Sequence, residues 1–366
     1  MFKSYRYPVL GAATILVFSA SLCTSGTASA NAVAQLGNSS VFAATDENNA
    51  SLNFYYEPIG SPNWSTAEQV AGPGNASSDA AVAQVGNSAV IAVQGANGLD
   101  FYWQAIGSPT WSPAQQVARA DATQGDPSIA QVGQSTVIAA QTPSGQINFY
   151  YQGIGSSTWS PAQQVTGSAS GSPAGTYGDP SITQVGNATV IAATGPGGTL
   201  WMFWQQIGTA KWHAEQVGNG NLIYTKPSVA QVGQQTVIAV GVDSALDTFT
   251  QTIGLTTWTP YQVATSEDGF HDPSITQVGN SEAIAAYADE LNSQGQSVTA
   301  LWSYVESQAG NPAIPYQVSA YAPLWAHGDP TIADVNGGAV IGVPLTSGTG
   351  LFYWESGWNW HPETVG

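Results

Sequence analysis

Apolar and polar positions along this chain recur in short alternating runs, bounded by turn residues, with no segment at helical spacing. One stretch shows the pattern well. Pro127-Ser-Ile-Ala-Gln-Val-Gly133 is followed by Ser135-Thr-Val-Ile-Ala-Ala140, then by Gly145-Gln-Ile-Asn-Phe-Tyr-Tyr-Gln152, Ile154-Gly155 and Trp159-Ser-Pro-Ala-Gln-Gln-Val165. Val137–Ala140 is β-branched and then small, as expected of a strand crowded near an axis. From Ile147 onward, a period of two sets Ile147, Phe149 and Tyr151 on one face and Asn148, Tyr150 and Gln152 on the other. Pro143-Ser-Gly145 and Ile154-Gly155-Ser156 carry turn chemistry.

The same unit of about 47 residues recurs seven times. Its Gln falls at Gln35, Gln84, Gln131, Gln184, Gln231 and Gln277, with Asp334 in the seventh copy. Its trailing Trp falls at Trp64, Trp111, Trp159, Trp212, Trp258 and Trp360, and the sixth copy has Ala313 there. Four short strands per unit, with a periodic Trp and Gly, predict a propeller blade. A lone blade cannot cover its two apolar faces, whereas seven packed radially can. The predicted fold is all-β, a seven-bladed β-propeller with four antiparallel strands per blade, over residues 31–366 as a single domain. Two stretches break the rhythm, Gly167 to Gly178 and Asp289 to Ser297. Both are rich in Gly, Ser or Asn and are expected to be exposed loops.

Residues 1–30 read as a secretory signal peptide: Lys3 and Arg6 lead, Val9–Leu22 is mostly apolar, and Ala28-Ser29-Ala30 is a small-x-small cleavage site. Cys23 lies in this leader, preceded by Leu22 where a lipoprotein signal wants a small residue. Cleavage would leave no cysteine, and only Arg119, Lys211 and Lys226 against 23 acids, a net charge of −20. Such a field disfavours nucleic acid and anionic lipid. No later stretch is long and apolar enough for a membrane span. The expected location is extracellular, and the expected partners are glycans or glycoconjugates. Five Asn-x-Ser/Thr sequons, at Asn38, Asn49, Asn63, Asn75 and Asn187, occur in a chain rich in all three residue types.

The order Gly-x-Leu-x-x-x-aromatic, Gly, Trp, as in Asn97-Gly-Leu-Asp-Phe-Tyr-Trp103, Gly107 and Trp111, resembles the repeats of bacterial seven-bladed propeller lectins that bind fucose and related sugars. The resemblance spans residues 31–366 and implies the same fold and a sugar ligand. Some of those lectins clamp the sugar with an Arg and a Glu in each site. With Arg119 the one Arg beyond the leader, that repeated clamp is ruled out. Gly155-Ser-Ser-Thr-Trp159 more distantly resembles the Asp-box turn of sialidases, without the Asp and without the arginine cluster that a sialidase needs.

Three sets of residues are candidates for function. Five positions before the repeat Gln stand Asp79, Asp126, Asp179, Lys226, Asp272 and Asp329. If this segment leads into the innermost strand, five carboxylates encircle one channel mouth, a place for a hydroxyl-rich ligand or a cation. Oxygen donors suit Ca²⁺, provided carboxylates from separate blades come close enough to share an ion. The plainer alternative is that Asp before Pro accepts backbone N–H groups in a turn. The second set ends the third strand: Tyr56, Trp103, Tyr151, Trp204 and Trp354, with Thr250 in repeat five and Tyr304 in repeat six. Exposed aromatics bind the apolar faces of sugars, and buried ones pack blades together. The third is His271-Asp272 with His327 and Asp329, beside Glu267 and Asp268, a possible metal or acid–base group or simply two loop histidines beside turn aspartates. His213 and His361 lie in the Trp segments. Serine-hydrolase, zincin and phosphate-loop motifs are missing from the sequence. The reading favoured is a secreted carbohydrate-binding module with several inter-blade sites. Its alternatives are a protein-interaction scaffold, and a hydrolase or lyase using His271, Asp272, His327 and Asp329.

Overall fold

The computed structural model describes residues 32–366 except 62, 168–170, 219–224, 243, 267–268, 292–296, 307–312, 320–327 and 357–358. Residues 1–31, Glu267, Asp268 and His327 therefore lie outside the described residues. Twenty-eight strands form seven four-stranded antiparallel meanders, each built from four consecutive strands. The blades span residues 33–71, 81–119, 124–164, 181–216, 228–265, 270–319 and 331–365. The first strand of each blade contacts the first strands of both neighbours, blade seven against blade one included. The first strands thus line the axis and the ring is closed, giving a seven-bladed β-propeller.

This corrects one expectation. Ser135–Gln141 is second from the axis, and Gln124–Val132 is innermost. The β-branched, then small sequence of the second strand reflects burial on both faces, between two flanking blades, rather than crowding at the axis. Apolar clusters alternate with blades around the ring; one joins Ile147 and Phe149 of blade three to Ile191 and Phe203 of blade four. The repeat Trp residues fasten these interfaces. Trp64, Trp111, Trp159 and Trp212 each pack edge-on against a Phe of the preceding blade (Phe352, Phe54, Phe101 and Phe149), at centroid separations of 4.8, 4.9, 5.1 and 5.2 Å.

The repeat Gln is a second fastener, and its role was not evident from the sequence. The Gln84 side chain accepts a bond from the Gly37 N–H of the preceding blade (2.8 Å) and donates to the carbonyl of its own Gly86 (3.0 Å). Gln131, Gln184, Gln231 and Gln277 repeat this, and Gln35 accepts from Asn336 N–H across the seam between blades seven and one. The turn needs a left-handed residue, which explains the recurrent Val-Gly; Asn336, at φ 54°, takes that position in blade seven. Asp334 has no amide to donate and instead accepts from Gly337 N–H of its own turn.

The two insertions differ from expectation. Within 167–178 most described positions are exposed or half-buried, but Tyr177 is fully buried and stands edge-on to Phe203, at 5.6 Å. A buried aromatic outweighs the loop-like composition around it. Asp289 is not in a loop: it lies in Ser281–Leu291, which pairs with Ser297–Glu306 to form a lengthened hairpin.

Candidate functional site

The innermost strand is entered at one channel mouth by the repeat Asp in blades two, three, four, six and seven and by Lys226 in blade five. It is left at the other mouth by the repeat Gln, or by Asp334 in blade seven. Four carboxylates accept a backbone N–H from the same position of another blade: Asp126 from Asp79 (3.0 Å), Asp179 from Asp126 (3.3 Å), Asp272 from Lys226 and Asp79 from Asp329. Backbone capping was therefore the right chemistry, but the N–H groups come from another blade rather than from each residue's own turn. Asp272 reaches the ring from a left-handed conformation, φ 45°, at a bulge in its strand.

Lys226 crosses the mouth. Its Nζ lies 3.3 Å from an oxygen of Asp126 and 3.2 Å from one of Asp329, and its side chain is only 10% exposed. Asp79, Asp126 and Asp329 can each place an oxygen within 4.8 Å of the others. The carboxylates are thus close enough to share a hard cation, but the ammonium already bonds to two of these three. Burial, followed by neighbouring carboxylates, pushes the Asp79 carboxyl up to about 8. Burial likewise raises Asp179 and Asp272 to about 6, opposed by Lys226. The four surrounding carboxylates overcome the burial of Lys226 and raise its pKa. The mouth is a buried, self-neutralising network of protons and one ammonium.

The third-strand aromatics divide into two groups. Tyr56, Trp103 and Tyr151, on blades one to three, are 39%, 47% and 42% exposed. Each is held alike: its N–H is bonded by the hydroxyl of the Ser after the repeat Trp (Ser65, Ser112, Ser160), and its carbonyl accepts that Ser's N–H. Trp204 is half-buried because His213 stacks on it at 4.3 Å and 14°. His361 stacks on Trp354 at 4.4 Å, and the indole N–H donates to Glu363. Repeat six needs a correction. Val305, not Tyr304, pairs with Ala283 as Tyr151 pairs with Val137. Tyr304 is one residue out of register, so it faces the opposite side of the sheet and is buried against Phe270.

His271 and Asp272, adjacent in sequence, part company. His271 Nε2 meets Asp289 at 2.7 Å, and Asp289 also accepts the Thr299 hydroxyl at 2.6 Å. Asp272 turns instead into the channel mouth with Asp329. Sequence reasoning missed Asp289 because it fell within an assumed loop.

No protein-family model matches the sequence, and no curated protein matches it. Solved structures do resemble the fold. A protein of unknown function from Dyadobacter fermentans superposes with a TM-score of 0.53 at 12% identity, over 77% of this chain and 94% of its own. A prolyl endopeptidase gives 0.54 at 11% identity over 93% of this chain, which spans 50% of that enzyme. The lectin of Aleuria aurantia, described as a six-bladed propeller that recognises fucose, gives 0.48 at 12% identity over 80% of this chain and 95% of its own. At these identities the likeness is one of fold alone.

Proposed function

We propose that this protein binds carbohydrate through shallow sites on blades one to three, each centred on an exposed aromatic: Tyr56, Trp103 and Tyr151. The carrying observation is the recurrence of an open aromatic face at one register position on three adjacent blades, fixed each time by the same Ser bracket. A flat, rigid, solvent-facing ring suits the apolar face of a pyranose and loses little entropy on binding. The chain is sparsely charged, with Asp, Glu, Lys and Arg making up only 8% of it. The reading includes export, with residues 1–30 as a cleaved leader.

Trp204 and Trp354 are left out of the binding set because His213 and His361 cover them, and the channel-mouth aspartates because they are engaged with one another and with Lys226. A protein partner is the competing reading. It is favoured by Ile154, 42% exposed and lying over the Gly86 turn of blade two, which adds an aliphatic surface to the same end of the ring.

A glycan array probed with protein lacking residues 1–30 tests the proposal. We expect binding to a defined subset of glycans, weakened about tenfold or more by Trp103→Ala at an unchanged melting temperature. A triple Tyr56, Trp103 and Tyr151 alanine variant that is folded and binds the array like wild type would exclude these sites.

A further inference from the structure

A different surface, at the Asp-mouth end of the crevice between blades one and two, has no part in the aromatic sites. Asp100 pairs with Val93, three residues along the strand from Trp103 and on the opposite face of the sheet, towards blade one. It lines an open cleft of about 840 Å³ together with Asn75, Asn97, Tyr102, Gln116 and Arg119. That volume suits a small polar ligand. Asp100 is only 5% exposed and, among the described residues, makes no hydrogen bond or ion pair. A carboxylate on a mostly buried residue with no protein donor is costly unless water or a ligand in the cleft bonds to it. The oxygens converge: the position that a Cβ on Gly95 would take lies 2.7 Å from the Asn75 carbonyl oxygen and 2.9 Å from Asp100 Oδ2. The cleft's one cation is turned outward, with Arg119 paired to Asp121 at 3.6 Å and both side chains largely exposed. Burial raises the Asp100 carboxyl, and burial, followed by the Asp100 charge, raises the Tyr102 phenol to about 12, so Tyr102 keeps its proton as a donor. The acid also recurs: Asp247 holds the same register position in blade five, and there one carboxylate oxygen is fully buried without a partner.

We infer that this cleft is a binding site for a small hydroxylated ligand bearing a protonated primary amine, an amino sugar being the simplest form. The ammonium bonds to Asp100 and the Asn75 carbonyl. The hydroxyls meet Tyr102, Gln116 and Asn97. The amine is required because the unsatisfied groups are acceptors, and because the strongly acidic chain concentrates cations at its surface.

Glucosamine is the probe, titrated against the protein carrying Asp247→Asn and alanine at Tyr56, Trp103 and Tyr151, so that only the Asp100 cleft is read. Calorimetry and the backbone amide shifts of Gly72, Asn97 and Ala120, which line the cleft, report binding. We expect saturable millimolar binding, weakened at least about tenfold by Asp100→Asn, an isosteric change whose fold is checked by its melting curve. N-acetylglucosamine, with the amine blocked and the ring hydroxyls kept, should leave those amides unmoved. The inference is overturned if Asp100→Asn binds glucosamine as the parent does, if N-acetylglucosamine binds equally well, or if no saturable binding occurs. None of these outcomes depends on the aromatic sites.

Discussion

Lys226 holds a position that belongs to Asp in five other blades, and the exchange of one residue changes the chemistry of the whole mouth. Without it, Asp126 and Asp329 would be partly buried carboxylates with no cation between them. Lys226→Met removes the ammonium and keeps the length of the stem. We expect it to lower unfolding free energy by about 3–5 kcal/mol, as loss of one partner of a buried ion pair does, measured by chemical denaturation at neutral pH. The network also sets a pH dependence. Asp79 and Glu282 are raised to about 8, and Asp179 and Asp272 to about 6, with burial the leading cause for all four. A raised carboxyl means the folded state holds a proton that the unfolded chain releases near pH 4. The stability these groups confer is therefore complete below about pH 4 and lost as pH rises through about 8. The melting temperature should fall from pH 5 to pH 8.5. Glu282→Gln should flatten that fall and raise the melting temperature at pH 8.5. An unchanged slope in this variant would mean that Glu282 is not buried as described.

At the scale of elements, two repeated devices hold blade to blade, and the sequence showed one more clearly than the other. Trp at a fixed place announces packing. The Gln in Ala-Gln-Val looks like any polar residue on a strand, and only its alignment with the preceding blade's turn makes it a clip. Gln131→Ala removes the acceptor of Gly86 N–H and the donor to Gly133 carbonyl. We expect a cost of about 1–2 kcal/mol, seen as a shift in the denaturation midpoint without a change in slope; a loss below about 0.3 kcal/mol would show that water replaces both bonds. Blade six shows how one residue of register changes meaning. Aligning aromatic to aromatic selects Tyr304, but pairing selects Val305, and with a period of two the difference is a change of face. The same hairpin sets Glu282 directly opposite Glu306, where blade three has Thr136 opposite Gln152. Both acids are buried, and the Glu306 charge adds to the burial that raises Glu282.

The whole molecule is a closed ring, with the Tyr55 hydroxyl bonded to the Gly348 carbonyl across the seam between blades one and seven. Closure sets three exposed aromatics on consecutive blades near one face. We therefore expect weak binding of monovalent sugar but retention on a glycan-dense surface that exceeds the single-site affinity by about 10²–10⁴, compared by surface binding with and without free-sugar competition. Equal affinity for monovalent and clustered glycan would mean that one site carries the binding. The number of blades, the four strands in each and the turn glycines were determined by the sequence alone, because strand alternation and left-handed turns are local properties repeated seven times. Tertiary structure alone decided that Trp103 is open while Trp204 lies beneath His213, and that Asp100 faces a cleft with no donor bonded to it. It also brought Lys226 to carboxylates about a hundred residues away on either side. Those outcomes depend on what the neighbouring blade and the far side of the ring place opposite each residue, and periodicity within one repeat carries no information about that.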